Sequence, residues 1–370
     1  MNELNSINEF FSQVGCQFQC YDMSRFIQPL SPQTLVEFEQ TSASWKTPFM
    51  QHAWLAILFW APQSAQASQS SSDQEHYVWF LKLPLDEQAK LNLVARDDFL
   101  RRLVEALTIY LDDIEDKTRE QKLESLESAM KDNPYGFQPK QEQMANFHAI
   151  VHKQLSLPPS RYYPDAQHYF SGAQGFEHWT KLGYQGIADI AARLDENFQD
   201  TSNEDLISEA IAHLPASPFQ ALSNCLENHS VSGHLVQLVN ERLSKELTQS
   251  DNPTIAPVCA AAIRATAQAS DKTLQSQLLV KVLESSARSD IEVLATLSGR
   301  CWQQLNNPEI LSLFLEALAV TEHGQGAFNA ILSDLMFIPG MRDAILQTFR
   351  SPERSEHLTQ AIGSFFSQLG

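Results

Sequence analysis

The chain has 370 residues, of which 45 are acidic and 26 are basic, so its formal net charge is −19 at pH 7. Apolar residues make up 43% and charged residues 19%, values typical of a folded globular protein rather than a disordered one. A chain this acidic repels phosphates, which argues against a nucleic acid or an anionic membrane as its partner. The 13 glycines are roughly half the usual share, which favours helices over phosphate-cradling loops.

The start of the chain and its cysteines bear on the cellular compartment. The first residues, Met1 to Ser6, lack the basic and apolar regions of a signal peptide. The longest apolar run, Ala53 to Ala61, is much shorter than the about 20 residues that a membrane-spanning helix needs. The chain also has five cysteines, an odd number. We therefore expect a soluble, cytoplasmic protein with reduced thiols.

Residues 1–90 predict a small α+β domain built on a sheet. Ser31 followed by Pro32 predicts the start of a short helix. Three segments have the alternating or uniformly apolar pattern of strands: 17–22, 54–60 and 77–83. The last two are expected to be neighbours in a hairpin. The Ser/Gln-rich segment 63–73 between them predicts a flexible loop.

Residues 91–181 predict a helical and aromatic connector. Apolar residues recur at helical spacing from Phe99 to Leu111, and residues 141–155 predict a second helix. The stretch 156–180 has no clear period, and we expect it to be irregular. Its aromatic residues are expected to pack between the two halves of the protein: Tyr162, Tyr163, Tyr169, Phe170, Phe176 and Trp179.

Residues 182–370 predict helices only, with a weak internal repeat. Apolar positions recur 36 residues apart, as the following pairs show: Leu274 and Ile310, Leu278 and Phe314, Leu279 and Leu315, Val282 and Leu318. A two-helix unit of this length that stacks on its copies is typical of an α-solenoid of the HEAT or armadillo type. The alternative is an irregular helical bundle in which these matches are coincidental. We predict the solenoid.

Five segments carry a resemblance to a known family: YVWFLKLPLDE (77–87), RDDFLR (96–101), NPYGF (133–137), YFSG (169–172), and Gly183 with QGIAD (185–189). Through them the chain resembles an uncharacterised gammaproteobacterial family, a domain of unknown function, over most of its length. The resemblance implies a bacterial, cytoplasmic protein. It transfers no catalytic or binding residue.

Two motifs have spacings that occur in metal sites. The sequence DDIED at 112–116 matches the D-D-x-x-D pattern with which terpene and prenyl synthases hold Mg²⁺ and a diphosphate, or it is a solvated acidic helix face. His148 and His152 lie four residues apart on a predicted helix, as in a zinc pair. Ala149 replaces the glutamate of a zinc protease, and no third ligand is indicated. The two histidines are weak metal candidates, and we predict no catalytic residue and no cofactor.

The cysteines offer little redox chemistry. If Cys16 and Cys20 share a strand, their Cα atoms lie about 13 Å apart, well beyond the roughly 7 Å limit of a disulfide. We expect the strand. Cys225, Cys259 and Cys301 fall beside apolar residues on predicted helices and are expected in the core.

The architecture predicts an interaction protein more than an enzyme. An α+β N-terminal domain followed by an all-α repeat half offers a long helical surface that can bind another protein or a peptide. The acidic balance indicates a partner that is neutral or basic where it docks. The alternative is an enzyme or small-ligand sensor with a site in the cleft between the N-terminal domain and the repeats. A self-assembling structural role and the oligomeric state stay open.

Overall fold

A computed structural model describes residues 6–61, 75–111, 128, 130, 133–248 and 255–369. Contacts within it divide the chain into two compact units. The first unit holds residues 1–140 with 337–339, and the second holds 141–336 with 340–370. Contacts alone do not define folding domains, so the predicted division at residues 90 and 181 stays a prediction.

The first unit is built on an antiparallel four-stranded sheet with the strand order β2-β1-β3-β4. The strands are β1 (Gln17–Asp22), β2 (Gln28–Pro29), β3 (His52–Trp60) and β4 (Tyr77–Pro84). Leu55 of β3 lies opposite Leu81 of β4, so the predicted pairing of these two strands is confirmed. Both leucines are fully buried, as expected for strands that are apolar throughout. The predicted loop at 63–73 lies outside the described residues.

Three helices share the core of the first unit: α1 (Ile7–Val14), α2 (Pro32–Glu39) and α3 (Leu93–Leu111). The predicted start of α2 is confirmed, because the Thr34 amide donates to the Ser31 hydroxyl over 3.0 Å and Pro32 is the first helical residue. Helix α1 was not expected from the sequence. It is held by Phe11, whose ring centre lies 4.7 Å from that of Phe18 and 5.3 Å from that of Trp79.

The second unit is predominantly helical, as predicted. Its helices are α4 (Gln141–Gln154), α5 (Tyr163–Phe170), α6 (Tyr184–Ala192), α7 (Asn203–Ala210), α8 (Ala216–Leu226), α9 (Gly233–Leu247), α10 (Ile255–Ala265), α11 (Lys272–Leu283), α12 (Ile291–Arg300), α13 (Pro308–Ala319), α14 (Gly324–Met336), α15 (Met341–Thr348) and α16 (Glu356–Leu369). Two 3₁₀ helices, Phe176–Lys181 and Trp302–Asn306, lie between them.

Two expectations for this region were wrong. The stretch 156–180 is not irregular, because residues 163–170 form α5, in which Tyr163, Ala166 and Phe170 are buried one and two turns apart. The region after residue 182 is also not helical throughout. Two short strands, β5 (Asn197–Phe198) and β6 (Thr201–Ser202), pair as a tight hairpin before α7.

The helices of the second unit pack as two interleaved series. Each even-numbered helix from α4 to α14 contacts the next even-numbered one, and each odd-numbered helix from α5 to α13 contacts the next odd-numbered one. Within the predicted repeat, α10 and α12 begin 36 residues apart, at Ile255 and Ile291, and α11 and α13 also begin 36 apart, at Lys272 and Pro308. The described helices include none with the length and apolar character needed to cross a membrane.

Candidate functional site

The two histidines singled out from the sequence are neighbours on α4. The ring centres of His148 and His152 lie 3.8 Å apart. The Nδ1 atom of His152 lies 2.9 Å from the carbonyl oxygen of Pro158. A carbonyl only accepts, so this nitrogen donates and Nε2 is the atom left to bind a metal. Burial and the adjacent imidazole lower the pKa of His148, which keeps that ring neutral near pH 7.

A metal would need further ligands at this place. In the described ranges, no three His, Cys, Asp or Glu side chains are grouped so that they could hold an ion. Zinc sites in proteins use three or four protein ligands. His148 and His152 therefore stay weak metal candidates. The D-D-x-x-D motif at 112–116 lies outside the described residues.

A buried ion pair in the second unit involves Asp189 on α6 and Arg193 just after it. Asp189 is fully buried and Arg193 is 1% exposed, and their Oδ1 and Nη1 atoms lie 3.4 Å apart. The second Asp189 oxygen accepts from the Ser160 amide over 3.0 Å, and Arg193 donates to the Leu157 carbonyl over 3.2 Å. The pair thus fastens the segment before α5 to α6, which is a structural role.

A saturated polar cluster continues from this pair. The Asn203 amide group donates to the Tyr163 hydroxyl over 2.7 Å and to the Arg193 carbonyl over 2.6 Å. It accepts from Gln167 over 2.9 Å, while Tyr163 donates to Glu196 over 3.1 Å. Because these groups satisfy one another, the cluster orients α5 and α7 and has little capacity left for a ligand.

The cysteines are free thiols in an apolar setting. Cys20 lies on β1 and belongs to the core of the first unit, but Cys16 does not share this strand as expected, because it lies between the Gly15 cap of α1 and the first strand residue, Gln17. Burial raises the pKa of Cys225 to about 12, of Cys259 to about 11 and of Cys301 to about 12. A thiol that stays protonated at neutral pH is a poor nucleophile and a poor redox group.

One carboxylate in the second unit joins two arginines from successive helix pairs. Glu227, at the end of α8, lies 2.6 Å from Arg264 of α10 and 2.8 Å from Arg300 of α12. The glutamate side chain is only 10% exposed. The two arginines are 36 residues apart in the sequence, the same distance as the predicted apolar repeat. This spacing is the signal that the sequence analysis left unused.

A groove in the second unit lies between α13 and α15. It has a volume of about 530 Å³. Two half-buried apolar side chains, Leu313 from α13 and Ala344 from α15, line it together with several hydroxyl and amide side chains. Its rim carries two exposed carboxylates, Glu309 and Glu353, and neither forms an ion pair within the described ranges. The groove therefore combines apolar contact area with two exposed carboxylates.

The fold places the chain in a general class: an α+β unit with an antiparallel sheet, linked to a unit of paired helices in two series. The chain belongs to the family described as a protein of unknown function (DUF3549), whose model matches residues 2–366. The resemblance stated from the sequence is thereby confirmed at the level of the family. No curated protein and no solved structure matches the chain.

Proposed function

We propose that the second unit is an α-solenoid of the HEAT or armadillo type and that the protein is a non-enzymatic interaction or scaffold protein. This proposal rests on one observation: in the second unit each even-numbered helix packs on the next even-numbered helix, and each odd-numbered helix packs on the next odd-numbered one. In a solenoid each helix pair contacts its neighbours in this way, and its outer faces form an extended binding surface. The 36-residue offset shared by two successive pairs supports the same interpretation.

We assign the docking place to the groove between α13 and α15. Its two rim carboxylates attract a basic side chain, and Leu313 and Ala344 can bury a small apolar one. The partner that fits is an extended protein segment with a lysine or arginine beside a small apolar residue. The net charge of −19 disfavours an acidic segment through long-range repulsion.

Peptide display on the full-length protein tests this docking place. Peptides selected from a random library should contain lysine or arginine. Glu309→Gln and Glu353→Gln together should weaken their binding about tenfold, the cost of losing favourable charge contacts of roughly 1.4 kcal/mol. The matched control is Glu292→Gln, an exposed carboxylate on α12 away from the groove, which should leave binding unchanged.

Two results would overturn the assignment. One is selection of peptides without basic residues. The other is equal loss of binding in the groove variant and in the Glu292→Gln control, because a general effect of net charge would then explain the data.

The cytoplasmic location belongs to the same proposal. Four of the five cysteines, Cys20, Cys225, Cys259 and Cys301, are buried free thiols. Free thiols in this number are typical of a reducing compartment. Fractionation of the native cells, with the protein traced by antibody, should place it in the cytoplasmic fraction; recovery from an oxidising compartment would contradict the proposal.

A further inference from the structure

The first unit contains a pocket that is separate from the proposed peptide groove. It has a volume of about 230 Å³ and lies beside the end of β1, helix α2 and the segment 43–47. Two aromatic side chains, Phe38 and Trp45, contribute to its wall, and their ring centres lie 4.7 Å apart. Hydroxyl groups from Ser31, Thr34 and Thr47 lie among the other lining residues.

Asp22 gives the pocket a buried negative charge. The residue is only 2% exposed. Its carboxylate accepts a hydrogen bond from the Ser24 amide over 2.8 Å and another from the Thr47 hydroxyl. Burial raises the pKa of this carboxyl to about 6, so it is ionised at neutral pH at a cost in free energy.

The positive charge of Arg25 also acts on Asp22 and lowers the pKa of this carboxyl, although less than the hydrogen bonds from Thr47 and Ser24 do. The Arg25 side chain donates to the Pro48 carbonyl over 2.9 Å, and its guanidinium lies 5.6 Å from the centre of the Phe49 ring. Of the remaining charged residues that line the pocket, Glu37 is acidic and Lys46 is basic, and Lys46 is exposed. Even with Arg25 and these hydrogen bonds, the pKa of Asp22 stays above its usual range, so a cation placed inside the pocket would still gain from this carboxylate.

We propose that this pocket binds a small aliphatic ammonium ion, with its charged group at Asp22 and its alkyl chain against Phe38 and Trp45. An ammonium group donates hydrogen bonds to the carboxylate and to the hydroxyls, and it is attracted to aromatic faces. An anion is excluded by Asp22 and Glu37. A divalent metal is disfavoured because the described residues offer no group of three ligating side chains.

Calorimetric titration of the full-length protein with n-butylammonium at neutral pH tests the proposal. The wild-type protein should bind it in a saturable way with a Kd of about 1 mM, a realistic value for a ligand of this size. The uncharged analogue 1-butanol, which is almost the same size, should not bind measurably.

Two variants locate the binding. Asp22→Asn keeps acceptor and donor atoms for Ser24 and Thr47 and should weaken binding about tenfold or more, the loss expected for one buried charge contact. Lys46→Ala changes an exposed residue, so it should fold normally and should tighten binding about threefold by removing a competing ammonium group. Thermal melting of both variants checks that they are folded.

The proposal is overturned by any of three results. These are the absence of saturable heat in the millimolar range with the wild-type protein, equal affinity in Asp22→Asn, and equal affinity for 1-butanol. If Asp22→Asn fails to fold, the Lys46→Ala titration decides, since unchanged or weaker binding in that variant contradicts a charge-based site at Asp22.

Discussion

Asp22 shows how one side chain can make the stability of the fold depend on pH. Its pKa is raised from 3.8 to about 6, mainly by burial. The hydrogen bonds from Thr47 and Ser24 oppose this rise. The folded state therefore holds this proton over a pH range in which the unfolded chain has released it. The resulting stabilisation is complete below the unfolded pKa and is lost as the pH rises through the folded pKa.

We predict that Asp22→Asn removes this pH dependence. Between about pH 4 and pH 7 the wild-type free energy of unfolding should fall by about 3 kcal/mol more than that of the variant, which follows from the shift of about two pKa units. Urea denaturation at several pH values measures the difference. Other titrating groups contribute equally to both proteins, so their contributions cancel in the difference between the two pH profiles. Parallel pH profiles for the two proteins would contradict the prediction.

A strained turn gives a second prediction for single residues. Met50 and Gln51 both have positive φ, 51° and 60°, in the two-residue turn between Phe49 and His52, whose backbone groups bond to each other over 3.0 and 3.1 Å. Turns of this kind favour Asn-Gly. Met50→Asn combined with Gln51→Gly should raise the free energy of unfolding by about 1 kcal/mol.

Urea denaturation at neutral pH checks this turn prediction. Met50 is 63% exposed, so its side chain contributes little packing. Met50→Leu, which keeps a side chain that disfavours positive φ, is the control and should leave stability unchanged. A double variant no more stable than this control would show that the turn carries no strain.

The packing between helices creates ion pairs that the sequence of a single helix does not predict. Glu227 joins Arg264 and Arg300 from two further even-numbered helices, and its side chain is 10% exposed. Removing the carboxylate leaves two partly buried guanidinium groups near each other without their counter-charge. We predict that Glu227→Gln lowers the free energy of unfolding by about 3 kcal/mol.

Chemical denaturation of the variant measures this cost. The control is Glu105→Gln, which breaks an exposed ion pair with Arg101. The Arg101 side chain is 55% exposed and the Glu105 side chain is 59% exposed. That control should cost at most about 0.5 kcal/mol. If the two substitutions lowered the free energy of unfolding equally, the ion pairs of Glu227 would not stabilise the helix packing.

The boundaries of helices and strands could be predicted from nearby residues better than the packing of these elements could. Ser31 with Pro32 marks the start of α2, and the apolar run at 54–60 marks a strand, because caps and hydrophobic patterns act over a few residues. Helix α5 escaped prediction because it is short and three of its five buried residues carry polar groups. Gln167 and Tyr163 enter a hydrogen-bonded cluster with Asn203, and such a cluster exists only after α7 is in place.

At the scale of the whole chain, the 36-residue recurrence of apolar positions was visible in the sequence but the candidate sites were not. Leu278 and Phe314 share a 36-residue offset and are both fully buried, as the proposed solenoid would require of equivalent positions. The pocket at Asp22 draws residues from three separate segments between positions 22 and 47. The groove of Glu309 and Glu353 depends on how α13 and α15 meet. No local pattern encodes such juxtapositions.

Hydrogen exchange can decide between a solenoid and an irregular bundle. In a solenoid, stability is transmitted mainly between neighbouring helix pairs, so a defect at one end leaves the other end protected. Phe365 lies on α16, is 4% exposed, and α16 packs on α13 and α14. Phe365→Ala should cost about 3–5 kcal/mol locally. Amides of α13 to α16 should then exchange faster while those of α4 to α8 keep their wild-type rates.

The complementary substitution makes this test internally controlled. Phe219 lies on α8, is 1% exposed, and α8 packs on α6 and α10. Phe219→Ala should speed exchange in those three helices and spare α14 to α16, because the perturbed pairs are distant along the array. In a bundle with one shared core, each substitution would accelerate exchange throughout the second unit. That uniform response would contradict the solenoid and, with it, the structural basis of the proposed interaction surface.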